Sequence, residues 1–173
     1  MPVENAFFES LIGHPVFPVR QTSHSLSRRD VVRGVHYTAT PPGSAKHVYC
    51  PRGRSLDVVV DLRVGSPTYG RSDAVVLDAL EFRSVYLPVG VGHMTVALED
   101  DTVMAYLWSE AYRAERERAV SALDPELGLP VPERPVLSER DRAAPTLAEA
   151  RAAGLLPDYA ACRAVERTWR VAS

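Results

Sequence analysis

Short apolar segments separated by turns dominate the chain between Phe17 and Ser109. These segments are rich in Val and Tyr, and Pro and Gly interrupt them, for example in TPPG at positions 40–43 and SPTYG at 66–70. Runs this short fit β-strands better than helices, and Pro and Gly mark the turns between them. The pattern predicts an all-β sandwich or barrel, and the number of short strands favours a jelly roll.

The clearest strand is predicted from Leu56 to Leu62. Every second residue of this run is Leu or Val, and Asp57 and Asp61 lie at intervening positions. A period of two places the aliphatic side chains on one face, which we expect to be buried. Further strands are predicted at Val31–Thr38, Ala74–Leu77, Ser84–Leu87, His93–Leu98 and Thr102–Trp108.

The C-terminal third predicts short helices instead of strands. Thr146 and Glu149 have the spacing of a capping box, and Gly154 ends the helix that follows. A second helix is predicted at about residues 159–170. Strong helix formers in Glu110–Val120 predict a further helix there, from propensity alone.

Size and charge restrict the class of protein. The 173 residues suit a single domain over residues 1–173, with a β core at about 17–145 and a helical segment at about 146–171. The formal net charge of −2 offers no general attraction to nucleic acid or an anionic membrane. No apolar run is long enough to span a bilayer, and the first residues lack a signal-peptide pattern, so we expect a cytoplasmic protein. We expect Cys50 and Cys162 to be reduced thiols.

One run of residues forms a specific motif. Residues 25–37 read SLSRRDVVRGVHY, which resembles the S-x-S-x-x-x-V-x-R-G-L-H-Y signature of the dTDP-4-dehydrorhamnose 3,5-epimerase family. Further matches follow in the family's order, so that the resemblance covers about residues 17–147 and is more specific than one short motif. These later matches are Lys46, DVVVDLR at 57–63, SPTYG at 66–70, YLP at 86–88, His93, Tyr106, Tyr112, DPELG at 124–128 and LSERD at 137–141.

The resemblance implies a mainly β, cupin-type jelly roll with short C-terminal helices, which binds no metal and needs no cofactor. It implies a homodimer that acts on a dTDP-linked 4-keto-6-deoxy sugar in deoxysugar biosynthesis. Such an enzyme removes a proton from the carbon beside the ketone and returns a proton to the opposite face, at C3, at C5 or at both. An enolate forms between these steps, so a base, an oxyanion stabiliser and an acid are required.

The same resemblance assigns four catalytic residues. His36 matches the base, a role that suits an imidazole because its pKa lies near working pH. Asp141 matches the carboxylate that fixes the tautomer of that histidine. Lys46, the only lysine in the chain, matches the cation beside the C4 oxygen, where an ammonium group stabilises the enolate. Tyr106 matches the acid that returns a proton to the opposite face of the carbon.

A further set of residues is assigned to substrate binding. Arg33 matches the arginine that contacts the diphosphate, a task that suits its planar, always-charged group. Strand alternation places Arg33 and His36 on opposite faces, so they share a pocket only if Gly34 marks a bulge or a twist. The other residues that match substrate-binding positions are Gln21, Ser23, His93 and Tyr112.

Two alternatives stay open at this point. A metal-dependent cupin enzyme would use His36, His47 and His93 as imidazole ligands with a carboxylate, although the His-x-His pair usual in cupins is missing. A non-catalytic protein would keep the jelly roll and bind a nucleotide sugar.

Overall fold

The structure, a computed structural model, describes residues 4–13 and 15–171. Within those residues, β-strands form most of the regular structure and all of the helices are short. In chain order the elements are α1 (Asn5–Ile12), β1 (Gln21–Ser27), β2 (Val32–Thr38), β3 (Lys46–Arg52), β4 (Arg54–Asp61), β5 (Ser72–Asp78), β6 (Ser84–Leu87), β7 (Val91–Ala97), β8 (Thr102–Trp108), a 3-10 helix (Ala114–Arg116), β9 (Glu117–Ala119), α2 (Glu139–Arg142), α3 (Leu147–Ala152), α4 (Tyr159–Arg167) and a second 3-10 helix (Thr168–Val171).

The strands form two antiparallel sheets. The smaller sheet has the order β1-β8-β3-β6, and the larger has the order β5-β4-β7-β2-β9. Between β2 and β9 the chain passes repeatedly from one sheet to the other, so neighbours in sequence often face each other across the sandwich. This arrangement confirms the prediction of a mainly β protein and is the one expected of a jelly roll.

An apolar cluster fills part of the space between the sheets. We call it the inter-sheet core, and its buried members are Val48, Cys50, Leu77, Leu87 and Met104. They come from β3, β6 and β8 of the smaller sheet and from β5 of the larger one. Apolar burial of this kind supplies most of the free energy that holds two sheets together.

The outer face of the larger sheet is also buried. Val58 and Val60 of β4 lie in a second cluster with Val120 and Leu147, under the segment that follows β9. The predicted aliphatic face of this strand is therefore confirmed. The opposite face is buried as well, because Val59 packs against the inter-sheet core.

Both cysteines are buried free thiols, as the sequence predicts. Cys50 lies in the inter-sheet core. Cys162 of α4 packs with Phe17 and Val89 in a third cluster, which includes Ala45 just before β3. Burial raises the pKa of both thiols, which disfavours the reactive thiolate.

The predicted strands are all present, with bounds that differ by a few residues. The predicted C-terminal helices are confirmed too. Thr146 and Glu149 form a complete capping box at the start of α3, and α4 is followed by a single 3-10 turn. None of the helices in the described part of the chain has the length and apolar character that crossing a membrane requires.

The helix predicted for Glu110–Val120 is wrong. Only Ala114–Arg116 form a 3-10 turn, and the chain then continues as strand β9 along the edge of β2. Pairing of His36 with Ala119 and of Thr38 with Glu117 places the backbone in the sheet. Tertiary pairing thus overrides helix propensity, which is worth only a fraction of a kcal/mol per residue.

Candidate active site

A cavity of about 340 Å³ lies between the two sheets, next to the inter-sheet core. Along β3 and β8, Lys46 and Trp108 line the cavity, whereas Val48, Cys50 and Met104 belong to the core. Core and cavity are therefore successive parts of one inter-sheet space. Every predicted site residue except Asp141 lines this cavity, namely Gln21, Ser23, Arg33, His36, Lys46, His93, Tyr106 and Tyr112.

A bulge in β2 brings Arg33 and His36 to the same cavity. The pairing register with β7 shifts between these two residues, so simple alternation does not apply. Gly34 has a φ of 131°, and a Cβ atom there would lie 2.7 Å from Cα of Met94. Only glycine fits so close to the neighbouring strand. The bulge at Gly34 that the prediction required is confirmed.

The predicted base, His36, is paired with a buried carboxylate. Nε2 of His36 forms a short hydrogen bond with Oδ1 of Asp141, and the Asp141 side chain is only 4% exposed. Ser138, the N-cap of α2, accepts a hydrogen bond from the Asp141 backbone N–H and donates one to Oδ2 at 2.9 Å. Burial alone would raise the pKa of Asp141, but hydrogen bonding to His36 and Ser138 holds it below its usual value. The carboxylate is therefore fixed and ionised behind His36.

Lys46 extends into the cavity from the smaller sheet with its ammonium group largely desolvated. The residue is 3% exposed, and burial lowers the pKa of its amine to about 8, although the charge of Glu117 opposes this shift. Nζ lies 4.3 Å from the centre of the Trp108 ring, a cation–π contact. Among the residues that the structure describes, Nζ has no hydrogen-bond or ion-pair partner. Its donors are therefore available to an anionic ligand.

Tyr106 lies deep in the same cavity. Burial raises the pKa of its phenol, and the charge of Asp57 acts in the same direction, whereas the nearby hydroxyl groups of Ser25 and Thr95 lower it. The ring contacts His93 edge-on, with 6.0 Å between ring centres. A phenol in these surroundings stays protonated at neutral pH and is able to act as a proton donor.

The remaining predicted residues line the cavity from β1, β2 and the segment after β8. The backbone N–H of Tyr112 donates to Oε1 of Gln21 at 2.8 Å, and Nε1 of Trp108 donates to the Ser23 hydroxyl at 2.8 Å. The guanidinium of Arg33 donates to the Ser27 hydroxyl at 3.1 Å and to a backbone carbonyl. These contacts hold β1 against β8 and orient Arg33.

The structure brings further residues to the cavity that sequence reasoning missed. Arg140 lines both this cavity and an adjoining one of about 400 Å³, which it shares with Arg33 and His36. Glu117 is held by the Thr38 hydroxyl, which donates to it at 2.8 Å. The other additional residues are His24, Ser25, Thr95 and Trp108. The only sequence signal for Arg140 was its position next to Asp141. Glu117 was missed because it lies in the segment that was incorrectly predicted as a helix.

A second histidine–carboxylate pair lies behind the cavity. Nε2 of His93 is 2.7 Å from Oδ2 of Asp57, and the Asp57 side chain is completely buried. The sequence showed Asp57 only as a residue of a predicted strand and as the first residue of the DVVVDLR match. No local signal distinguishes it from Asp61, which instead forms an ion pair with Arg63 at 2.8 Å.

The three histidines of the metal-enzyme alternative do not form a ligand set. His36 and His93 each bind a separate carboxylate. His47 forms a hydrogen bond with the Ser84 hydroxyl at 3.0 Å, and Phe8 of α1 packs edge-on against its ring. Within residues 4–13 and 15–171, no group of three or more His, Cys, Asp or Glu side chains is placed to hold a metal ion.

Comparison with known proteins assigns the chain to a family. The model of the dTDP-4-dehydrorhamnose 3,5-epimerase family matches residues 4–149. The chain belongs to this family. An enzyme of that name from Mycolicibacterium smegmatis is 49% identical over 168 residues, which are 96% of this chain and 82% of the relative. A Streptomyces griseus enzyme of the same name is 52% identical over 152 residues, or 87% and 76% of the two chains.

Solved structures of the family confirm the cupin-type jelly roll. NovW, a 4-keto-6-deoxy sugar epimerase from the novobiocin cluster of Streptomyces spheroides, has a TM-score of 0.88 and 49% identity over 92% of this chain and 80% of its own. ChmJ, a 3'-monoepimerase from Streptomyces bikiniensis solved with dTDP-quinovose, has a TM-score of 0.91 and 45% identity, covering 97% and 85%. The chain is therefore an isomerase of the epimerase class.

Proposed function

We propose that this epimerase acts on a dTDP-4-keto-6-deoxyhexose in deoxysugar biosynthesis and inverts C3, C5 or both. The observation that supports the proposal is that His36 and Tyr106 line one cavity from different sheets. His36 comes from β2 of the larger sheet, and Tyr106 comes from β8 of the smaller sheet. A sugar ring held between the sheets would present one face to each residue, as inversion requires.

His36 removes the proton from carbon in this mechanism. Asp141 holds the ring through Nε2, which leaves Nδ1 as the nitrogen for the carbon-bound proton, and its ionised carboxylate stabilises the imidazolium that forms. The side chain of His36 is 28% exposed, so it is accessible from the cavity. The electron pair of the broken C–H bond passes to the ketone oxygen and generates the enolate.

Lys46 stabilises that enolate. Its ammonium group is buried and has no anionic partner within 4 Å among the described residues, so a developing negative charge is stabilised here more strongly than in water. The pKa of about 8 shows the cost of keeping this charge desolvated. Tyr106 then donates its phenolic proton to the carbon from the opposite side, and the C4 ketone is restored.

The nucleotide part of the substrate is expected to extend towards Arg33. Its guanidinium suits the diphosphate, and Tyr112, which is 49% exposed, provides an aromatic surface at the edge of the cavity. Gln21, Ser23 and His93 supply polar contacts to the nucleotide or the sugar. Relatives solved with dTDP and with dTDP-quinovose support a dTDP-linked ligand.

We further propose a cytoplasmic homodimer that needs neither a metal nor another cofactor. Strand β1 forms one edge of the smaller sheet and exposes Leu26 to 61%. An exposed edge strand with an apolar side chain favours pairing with a second copy.

Proton exchange in D₂O tests the proposed function. The protein is mixed with dTDP-4-keto-6-deoxyglucose, and loss of the C3 and C5 proton signals is followed by NMR. We expect exchange at one or both carbons, and His36→Ala is expected to slow it about 10²- to 10⁴-fold, because a positioned base contributes about that much. The control is Arg83→Ala, which removes an exposed side chain outside the cavity. Absence of exchange with the wild-type protein, or unchanged exchange with His36→Ala, would contradict the proposal.

A further inference from the structure

Burial of the Asp57–His93 pair opposes folding, so a stabilising role does not explain why the pair is present. Asp57 is 0% exposed, and its Oδ1 atom has no hydrogen-bond partner among the residues that the structure describes. A buried carboxylate oxygen without a partner is destabilising, and replacing a buried hydrogen-bonded pair with apolar side chains of the same shape is often nearly neutral or stabilising. Val59, two residues along the same strand, and Val75, the register partner of Asp57 on β5, are aliphatic and pack against the inter-sheet core. Aliphatic side chains therefore fit at positions next to Asp57. A role in the site is the better explanation for Asp57.

The pair lies in the sheet directly beside His36, the proposed base. His93 of β7 is the register partner of His36 on β2 and of Val59 on β4. Its ring lines the cavity and contacts Tyr106 edge-on. Because Asp57 binds Nε2 from behind, Nδ1 is the ring nitrogen left for a ligand in the cavity.

We propose that Asp57 is a positioning residue, which holds His93 as the Nε2–H tautomer so that Nδ1 accepts a hydrogen bond from a hydroxyl group of the sugar. A neutral imidazole has one donor and one acceptor nitrogen, and the group bound to one nitrogen determines the role of the other. A carboxylate only accepts, so it selects the tautomer that carries the proton on Nε2. This inference rests on the proposed function and assigns a role to a residue outside the cavity wall.

The two histidine–carboxylate pairs thus have different tasks. Asp141 supports a histidine that gains a proton during the reaction, and Asp57 supports one that keeps its tautomer and orients the sugar. Both carboxylates act through Nε2, which leaves Nδ1 of each ring for the substrate. Asp57 acts on the sugar only through His93.

The ring tautomer of His93 can be measured without any substrate. In ¹⁵N-labelled wild-type protein, long-range ¹H–¹⁵N spectra distinguish a protonated Nε2 from a protonated Nδ1, and the signals are assigned with His93→Gln. We expect protonated Nε2 and unprotonated Nδ1. The Nδ1–H tautomer in the wild-type protein would overturn the inference, whether or not any variant folds.

Variants then connect the tautomer to activity. Asp57→Val removes the acceptor and is expected to mix the tautomers and lower kcat/KM about 10- to 100-fold, the size of effect known for the loss of a carboxylate behind a metal-binding histidine. Asp57→Asn keeps an acceptor oxygen and is expected to restore both readouts to within a few fold of wild type. The matched control is Asp73→Val at the exposed beginning of β5, which should change neither.

The outcomes separate this inference from the proposed function. Unchanged tautomer and unchanged kcat/KM in Asp57→Val would overturn the inference while leaving the proposed function intact. A wild-type protein with the expected tautomer but without proton exchange on the sugar would instead refute the proposed function. If Asp57→Val does not fold, the wild-type spectrum and the Asp57→Asn variant still test the inference. An Asp57→Asn variant with the Nδ1–H tautomer and full activity would overturn it.

Discussion

The inter-sheet core and the cavity occupy one continuous space but differ in nearly every property. In the core, Val48, Leu77 and Met104 are buried against one another and contribute apolar burial. In the cavity, Lys46 and His93 are buried almost as deeply, although burial of a polar or charged group opposes folding. One part of the inter-sheet space therefore stabilises the fold, whereas the other part holds desolvated groups that are suited to catalysis.

The two halves are coupled through shared strands. On β3, Lys46 faces the cavity and Val48 the core, and on β8 Tyr106 contacts both. A cavity residue is therefore held in place because the residue two positions along its strand packs in the core. If this division is correct, changes in the cavity should lower turnover without lowering stability, and changes in the core should do the reverse.

The largest effect on turnover in this comparison is expected from Lys46→Met. Removal of one group that stabilises an oxyanion costs about 10²- to 10³-fold in kcat. The same change removes a desolvated charge, so the free energy of unfolding should stay the same or increase. Initial rates with the 4-keto sugar and urea unfolding measure the two effects. A variant that keeps its kcat, or that loses several kcal/mol of stability, would contradict the division between core and cavity.

A smaller effect is expected from pH acting on wild-type protein. Burial lowers the pKa of Lys46 to about 8, so its charged form is lost as pH rises through about 8. Because only the ammonium form stabilises the enolate, kcat should fall by up to about tenfold per pH unit above that value. More than about one pH unit below that value, the lysine is almost fully charged, so Lys46 should cause no further change in kcat there.

Glu117→Gln sharpens the pH experiment. The charge of Glu117 raises the pKa of Lys46 against the effect of burial. Its removal should therefore move the alkaline limb of the profile to lower pH, with little change in kcat on the acidic side of the limb. A profile that stays flat up to pH 9.5 in the wild-type protein, or a limb that does not move in the variant, would show that another group controls turnover.

Sequence patterns predicted the strands in which the buried side chains are apolar at every second position. Val58 and Val60 revealed β4 because their face is apolar throughout. Strand β1 was missed because its half-buried positions, including Gln21, Ser23 and Ser25, are polar. Those positions line the cavity. The demands of the site thus remove the apolar alternation from which a strand is recognised.

The candidate site was predictable mainly through the resemblance to a family. Motif order identified His36, Lys46 and Tyr106, which the structure brings to one cavity. The charged residues around Asp141 give no local sign of a buried carboxylate, although Ser138 three residues earlier matches an N-cap pattern that places this aspartate in the first turn of α2. The role of Asp57 could not be predicted from the sequence, because it depends on the pairing register of β4 with β7, and register is a tertiary property.

The smallest effect on turnover is expected from Leu77→Ala in the inter-sheet core. Leu77 is 0% exposed and packs between the sheets without lining the cavity. Its truncation should lower the free energy of unfolding by about 2–5 kcal/mol, because transfer and cavity terms add. Since Leu77 itself does not line the cavity, kcat should stay near wild type under conditions in which the variant is folded. Leu80→Ala, at a residue that is 88% exposed, makes the same chemical change outside the core and should alter stability by less than about 0.5 kcal/mol. A large loss of kcat in folded Leu77→Ala would mean that the core positions Lys46 and Tyr106 so tightly that stability and catalysis cannot be assigned to separate halves.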